Sequence, residues 1–589
     1  MRMKISDAIE IEDPKSKKKE EIDKPGEVQG QENPRGVNVD ELLENVVGTS
    51  GLWQWSILIL LAVSCSSITT FSVYANSFSP YRCKMEEVVE NYIEKSNLSF
   101  GDVATRIGPW SSGTIFDKKA PKVRNGCARY KFNWTTANLD SMLQSNETVF
   151  NQSTTEIESC PLGYVYEKSD MHYPGNVVKE FATVCEKSWL VPLGTSLYIA
   201  GMSFGFMAGG WSGGKFGRKK TLIIFAIVEF LSGIWTSLSP DYYNYVAARA
   251  IMGLGSTAKY SVAAIYAMEL TVAKHRSLFR AVLQLGLTFF YRGVIALFAY
   301  LIPNWRWLNI AATAPNFLSF LYFFLPESPR WLISQNRERD AVIVLKSGYR
   351  VNHLGKPKVH KRRLDDLIEE TSAMVVSSPA GDSEPKHWGL PRVDFRAIRA
   401  KYDIKSAILC TIAMCGVSLS YFGLLFYARV VRNYIYLVGF LNALMTLPDN
   451  ILFALLYRFC RHRKLPLLIL VALSVFVCAG TGMFTLFAKP STDIVLTVCS
   501  NIILIITHAS LTMLFVYIPE LFASNVRAQM SGLIMGLGRF GSMLCTFVNE
   551  LDSFAGHGMP LVAYCGVLIS VFISILFLRD TTGENLPDK

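Results

Sequence analysis

Charge is scarce in this chain. Asp, Glu, Lys and Arg make up 18% of its 589 residues, against 50% hydrophobic ones, and histidine occurs only eight times. That balance excludes a water-facing surface over most of the molecule and points to a polytopic membrane protein. Metal-ligand spacing is missing too. The twelve cysteines lie in apolar runs, in one polar insertion or, like Cys460, in a basic loop, and they form no set with the spacing of a metal site, so no metal and no cofactor is expected. No cluster of nucleophile, base and acid stands in the polar stretches, which argues against an enzyme. Residues 1 to about 38 contain almost nothing to bury, and no basic start leads into a short cleavable apolar segment; a disordered tail without a signal peptide is the expectation. The formal charge of +11 is spread over several loops and is not gathered on one soluble face, so nucleic acid is not an expected partner.

Apolar runs long enough to cross about 30 Å of hydrocarbon, by contrast, recur along most of the chain. Twelve are read at 52–75, 189–211, 219–239, 243–268, 278–302, 305–325, 404–428, 433–457, 465–487, 492–518, 526–549 and 557–578. They divide the chain into a tail (1–51), a first span (52–75), a large polar insertion (76–188), spans two to six (189–325), a charged linker (326–403), spans seven to twelve (404–578) and a short tail (579–589). Loops holding Lys215, Arg218, Lys219 and Lys220, then Lys274, Arg276 and Arg280, then Arg458, Arg461, Arg463 and Lys464, alternate with loops that carry few cations. Cations mark cytoplasmic loops, so both termini are expected in the cytoplasm and the insertion outside, in a multi-pass plasma-membrane protein. The insertion holds Cys83, Cys127, Cys160 and Cys185, and the glycan acceptors Asn97, Asn133, Asn146 and Asn151. A glycosylated ectodomain stapled by disulfides follows, with three pairings open.

The chain also says one thing twice. YAMELTVAKHR places Tyr266, Glu269, Leu270 and Arg276 at the spacing that YIPELFASNVR gives Tyr517, Glu520, Leu521 and Arg527, each copy lying between two apolar runs. Two corresponding halves are the mark of a duplicated transporter. After the second span, Gly209, Gly214 and Lys215 nearly spell a phosphate loop, but Phe216 stands where Ser or Thr belongs and a helix precedes in place of a strand.

That same loop, through Gly210, Gly217, Arg218 and Lys219, resembles the signature of the major facilitator superfamily, with Gly214 where the family has an aspartate. PESPRWL at Pro326 resembles the motif after the sixth span of its organic cation, organic anion and carnitine transporters. So do CPLGYVY at Cys160, EFATVCEKSWL at Glu180, NWRWL at Asn304 and TTGENLP at Thr581. The resemblance implies an all-α polytopic membrane protein of the major facilitator fold, with twelve transmembrane helices in two pseudo-symmetric six-helix halves. It implies a switch built from these signature residues with Arg249, Glu269, Arg276, Glu520 and Arg527. In span eleven Gly532, Gly536 and Arg539 share one helical face, and glycines at that spacing mark the packed side. Arg539 stands where the anion and carnitine carriers have an arginine and the cation carriers an aspartate. Together with Arg292, Lys259, Tyr291, Tyr421 and Phe422 it forms the expected substrate set, and guanidinium suits carboxylates. The expected function is alternating-access transport of organic anions or carnitine-like zwitterions within a lipid bilayer, with sodium, a proton or an exchanged anion as a coupling partner. The alternatives are a cation transporter of this fold and a transport-inactive receptor or scaffold. A lone His508 in span ten reads as a packed side chain or a proton relay.

Overall fold

A computed structural model of the protein describes residues 43–65, 70–77, 79–109, 126–132, 143, 156–168, 172–354, 404–427, 434–459, 464–490, 492–522 and 524–580. Asn133, Asn146, Asn151 and Cys460 lie outside these residues, as do the side chains of Arg276, Glu520 and Arg527.

Helices dominate. Leu52–Ser64 with Phe71–Ala75 forms the first passage, followed by Leu190–Phe216, Arg218–Ser237, Tyr242–Glu269, Ala273–Leu301 and Trp305–Phe324. In the second half the passages are Ile404–Tyr427, Ile435–Phe459, Lys464–Ala488, Ile494–Glu520, Ser524–Ala555 and Met559–Leu576. Six of these helices are continuous and apolar enough to cross a membrane alone. Span 4, Tyr242–Glu269, is also continuous, while spans 1, 5, 6, 8 and 11 are broken, and three of these breaks have a local cause. Span 5 widens into a π turn at Gly286–Phe290, where a Cβ on Gly286 would come 2.9 Å from that of Ala62. In span 6 Pro315 sits at the start of the 3₁₀ stretch Ala314–Phe324, and it lacks the N–H that would bond Ala311. In span 8 Pro448 leaves Leu444 without its helical donor, and the helix restarts at Thr446 with Asp449 in the new first turn.

Spans 2 and 4 approach so closely that a Cβ on Gly201 would lie 2.0 Å from the Ala250 carbonyl oxygen. The halves meet along two seams, span 2 against span 11 and span 5 against span 8. At the end that bears the insertion, Ser196 donates to the Met543 carbonyl at 2.5 Å, and Thr546 donates to that of Pro192 at 3.0 Å. The repeated tyrosines are equivalent in structure as well as in sequence. Tyr266 donates to the carbonyl of Pro326, just beyond span 6, and Tyr517 to that of Arg579, just beyond span 12.

Two small antiparallel pairs organise the insertion. β1 (Tyr81–Cys83) pairs with β4 (Tyr164–Tyr166), and β2 (Ala128–Tyr130) with β3 (Ile157–Ser159). Cys83 bonds Cys160 and Cys127 bonds Cys185. The insertion is fastened to the first half, because Glu180 accepts from the Trp305 indole at 2.6 Å and pairs with Arg306 at 2.5 Å, while Tyr173 donates to the Ile302 carbonyl at 2.7 Å.

Candidate functional site

At the end opposite the insertion, the turn joining spans 2 and 3 depends on Gly217. Its φ of +96° is left-handed, and a Cβ there would lie 2.4 Å from the Glu327 carboxylate. Gly210, by contrast, is exposed and faces open space, so packing does not require a glycine there. Arg218 opens span 3 and forks onto Glu269 at 2.6 and 3.0 Å, with a further bond to the Gly213 carbonyl at 2.8 Å. The backbone N–H groups of Arg218 and Lys219 donate to Glu327 at 2.8 and 3.1 Å. A carboxylate at a helix N-terminus satisfies orphan donors and complements the dipole. Glu327 of span 6 thus caps span 3, while Gly214 on span 2 faces open space. Trp331, four residues on, donates to the Gly214 carbonyl at 2.8 Å. Ser328 caps the short helix Pro329–Ser334, accepting from the Trp331 N–H at 3.3 Å.

Arg249 lies away from this cluster. It is 2% exposed near the insertion-bearing end, donates to Ser72 at 2.7 Å and sits 4.1 Å from the Tyr198 ring centroid. It is therefore a partnered interior cation of the first half and does not join Arg218 and Glu269.

The six side chains grouped for substrate separate into two sets. Lys259 belongs to the interior of the first half, fully buried, 2.5 Å from Glu229, 2.6 Å from Asn316 and 2.7 Å from the Ser64 carbonyl. Its ammonium is engaged by two hydrogen bonds and one ion pair within the first half, away from the meeting of the halves. Tyr291 turns to span 6 and donates to the Ala312 carbonyl at 2.6 Å. The remaining four are brought together at the meeting of the halves. Arg292 donates one Nη to the Tyr421 hydroxyl at 2.7 Å, and the Tyr421 ring lies 5.1 Å from that of Phe422. Arg539 sits over Phe206 of span 2 at 4.2 Å and near Phe422 at 5.8 Å. Arg292 is 4% exposed, yet its Nε and other Nη have no hydrogen-bond partner. Among the described residues, neither Arg292 nor Arg539 has a carboxylate at ion-pair distance. Buried donors left unmade are costly, and two unneutralised guanidiniums form a field that attracts anions.

A second polar group, unread in the sequence, closes the insertion-bearing end of the second half. His557, on the turn before span 12, contacts Asp552 at 2.9 Å and Asp493 at 3.0 Å; Asp552 also accepts from Tyr427 at 2.8 Å and from the Gly558 N–H at 3.0 Å. Burial pushes the imidazolium down, but the hydrogen bonds to Asp493 and Asp552 outweigh it and raise its pKa to about 9. The folded value exceeds the unfolded one, so the stabilisation is complete below about pH 6.5 and is lost as pH rises through the folded value. Purified protein is expected to melt at progressively lower temperature between about pH 7 and about pH 10, and His557→Gln to flatten that slope. A wild-type melting temperature that stays constant over the range would contradict the assignment.

The sequence profile of the family described as "Sugar (and other) transporter" matches residues 130–588. The chain is 26% identical over 494 residues to "Organic cation/carnitine transporter 2" of Homo sapiens, covering 83% of this chain and 84% of that one. It is 31% identical over 323 residues to "Solute carrier family 22 member 2" of Mus musculus, covering 52% and 54%. Among solved structures, the partially occluded inward-open xylose transporter XylE from E. coli aligns with a TM-score of 0.51 at 17% identity, over 68% of this chain and 90% of its own, a likeness of fold alone.

Proposed function

The chain belongs to the sugar (and other) transporter family, and from that premise we propose that it carries small organic ions across the plasma membrane, with organic anions or carnitine-like zwitterions as favoured cargo. The observation that carries this reading is Arg292, a buried guanidinium at the meeting of the halves with two donors unmade. A cation of that kind persists in a membrane interior when a function retains it. A carboxylate is a group that fits it, because guanidinium N–H donors make strong charge-assisted bonds to carboxylate oxygens. Arg539 supplies a second positive charge, and Phe422, Tyr421 and Phe206 supply apolar faces for the rest of the ligand. The names of these relatives agree with small organic ions as the class.

Movement follows from differential stability. The Arg218–Glu269 pair and its counterparts Arg276, Glu520 and Arg527 would hold one end of the bundle in one state and part in the other, while the Ser196–Thr546 contacts break in turn. In this reading the insertion faces outside, where Asn97, exposed on a turn, would carry a glycan together with Asn133, Asn146 and Asn151.

Reconstitution of the full chain in proteoliposomes tests the proposal. Labelled carboxylates and carnitine are expected to exchange across the membrane, and Arg539→Asp to remove that exchange at normal abundance in the membrane. Exchange of quaternary amines without a carboxylate, in preference to both, would identify a cation carrier. Binding without any flux would identify a receptor.

A further inference from the structure

One buried cluster takes no part in the site above. Asp449 of span 8 and His508 of span 10 are 3% and 8% exposed, with the Asp449 Oδ2 2.5 Å from His508 Nδ1. The approach is close but Nδ1 makes no aligned hydrogen bond. Span 8 favours the carboxylate at this depth, since Asp449 lies in the first turn of the helix that restarts after the Pro448 break. The His508 ring lies 4.8 Å from that of Tyr421, and the Tyr421 hydroxyl accepts from Arg292. One aromatic ring thus separates the pair from the unmade guanidinium donors.

The surroundings hold few other groups that titrate. From span 7 the pair meets Tyr421; beyond it stand Arg292 of span 5, Arg539 of span 11 and Tyr260 of span 4, whose hydroxyl donates to Gln284 at 2.7 Å. Span 9, packed along span 10, contributes Cys478 and has no charged side chain beyond Lys464 at its end. Span 10 itself offers Cys499 but no charge other than His508 between Asp493 and Glu520.

We propose that Asp449 and His508 are the proton-binding site of this transporter, and that a proton travels with a carboxylate cargo. The inference rests on the transport reading above. With a proton on His508 the pair is neutral overall; without it, one negative charge remains in the bundle interior. A carboxylate arriving at Arg292 and Arg539 adds negative charge one ring away and raises the affinity of the pair for the proton. By linkage the bound proton raises the affinity for the carboxylate to the same extent. The two therefore load and unload together. No bond other than that to the proton forms or breaks.

The test uses the full chain in proteoliposomes containing a trapped pH dye, with the membrane potential clamped. Exchange without any gradient reports the transport reading. An acidic exterior is then imposed, and carboxylate is expected to accumulate inside, up to about tenfold per pH unit for one proton per cargo, with dye acidification that depends on cargo. In His508→Gln and Asp449→Asn the driven accumulation, normalised to exchange, is expected to fall by up to about tenfold per pH unit imposed. Should one variant fail to reach the membrane, the other and the wild-type gradient arm still decide. Exchange that ignores the pH gradient, or that follows a sodium gradient instead, overturns the proton site and leaves the transport reading standing. No exchange of any organic ion overturns both.

Discussion

Arg292→Met protein is expected to fold at least as well as the wild type and to transport far less. Methionine replaces a buried guanidinium that has two unmade donors, and removing such groups relieves a cost of about 1–3 kcal/mol each. Tyr421 gives up a single bond, worth about 1 kcal/mol, so the melting temperature is expected to rise by a few degrees. Charge-assisted hydrogen bonds to a carboxylate contribute about 1.5–3 kcal/mol, so uptake of a labelled carboxylate is expected to fall about 10- to 100-fold at normal abundance. Arg292→Lys keeps the charge and loses the planar fork, which places it between the two with a raised KM. Uptake and melting temperature falling together in Arg292→Met would show that the arginine holds the bundle and not the cargo.

Lys259→Ala carries the opposite expectation. It leaves Glu229 fully buried and deprived of the cation 2.5 Å away, and breaking a buried pair from one side costs about 3–5 kcal/mol. It also releases the Ser64 carbonyl at the end of the first helical piece of span 1, and Asn316 in span 6. Abundance in the membrane is expected to fall several-fold, with transport per molecule less affected than in Arg292→Met. Lys259→Met combined with Glu229→Gln removes both charges and is expected to recover most of the loss. Normal abundance in Lys259→Ala would show that Glu229 is satisfied by other partners.

These contrasting expectations for two interior cations show what the sequence could and could not convey. Hydropathy made the helices legible, and the repeated Tyr-Glu-Leu-Arg spacing made the two halves legible, because both are local patterns. The pairing of Lys259 with Glu229 is a contact between neighbouring spans, and no spacing within either helix reports it. Tyr291 precedes Arg292 by one residue, which turns it by about 100° around the helix and towards span 6. The resemblance placed Arg249 with the switch, but its depth along span 4 puts it a helix length away from Arg218. Glu327 was hidden for a related reason. The acid that caps span 3 comes from the end of span 6, a contact that no spacing within either helix reports. His508 showed itself as a lone histidine, and only packing brought Asp449 beside it.

The fastening of the insertion has a practical side. Because Glu180 grips Trp305 and Arg306, and the disulfides tie Cys185 beside span 2 to the small β pairs, this domain rides on the first half as a passenger. An antibody fragment seated on it would therefore act as a fiducial for that half alone. A dye on the fragment and another on Lys489, which begins the turn between spans 9 and 10, would turn any rocking of the halves into a change of distance that single molecules can report.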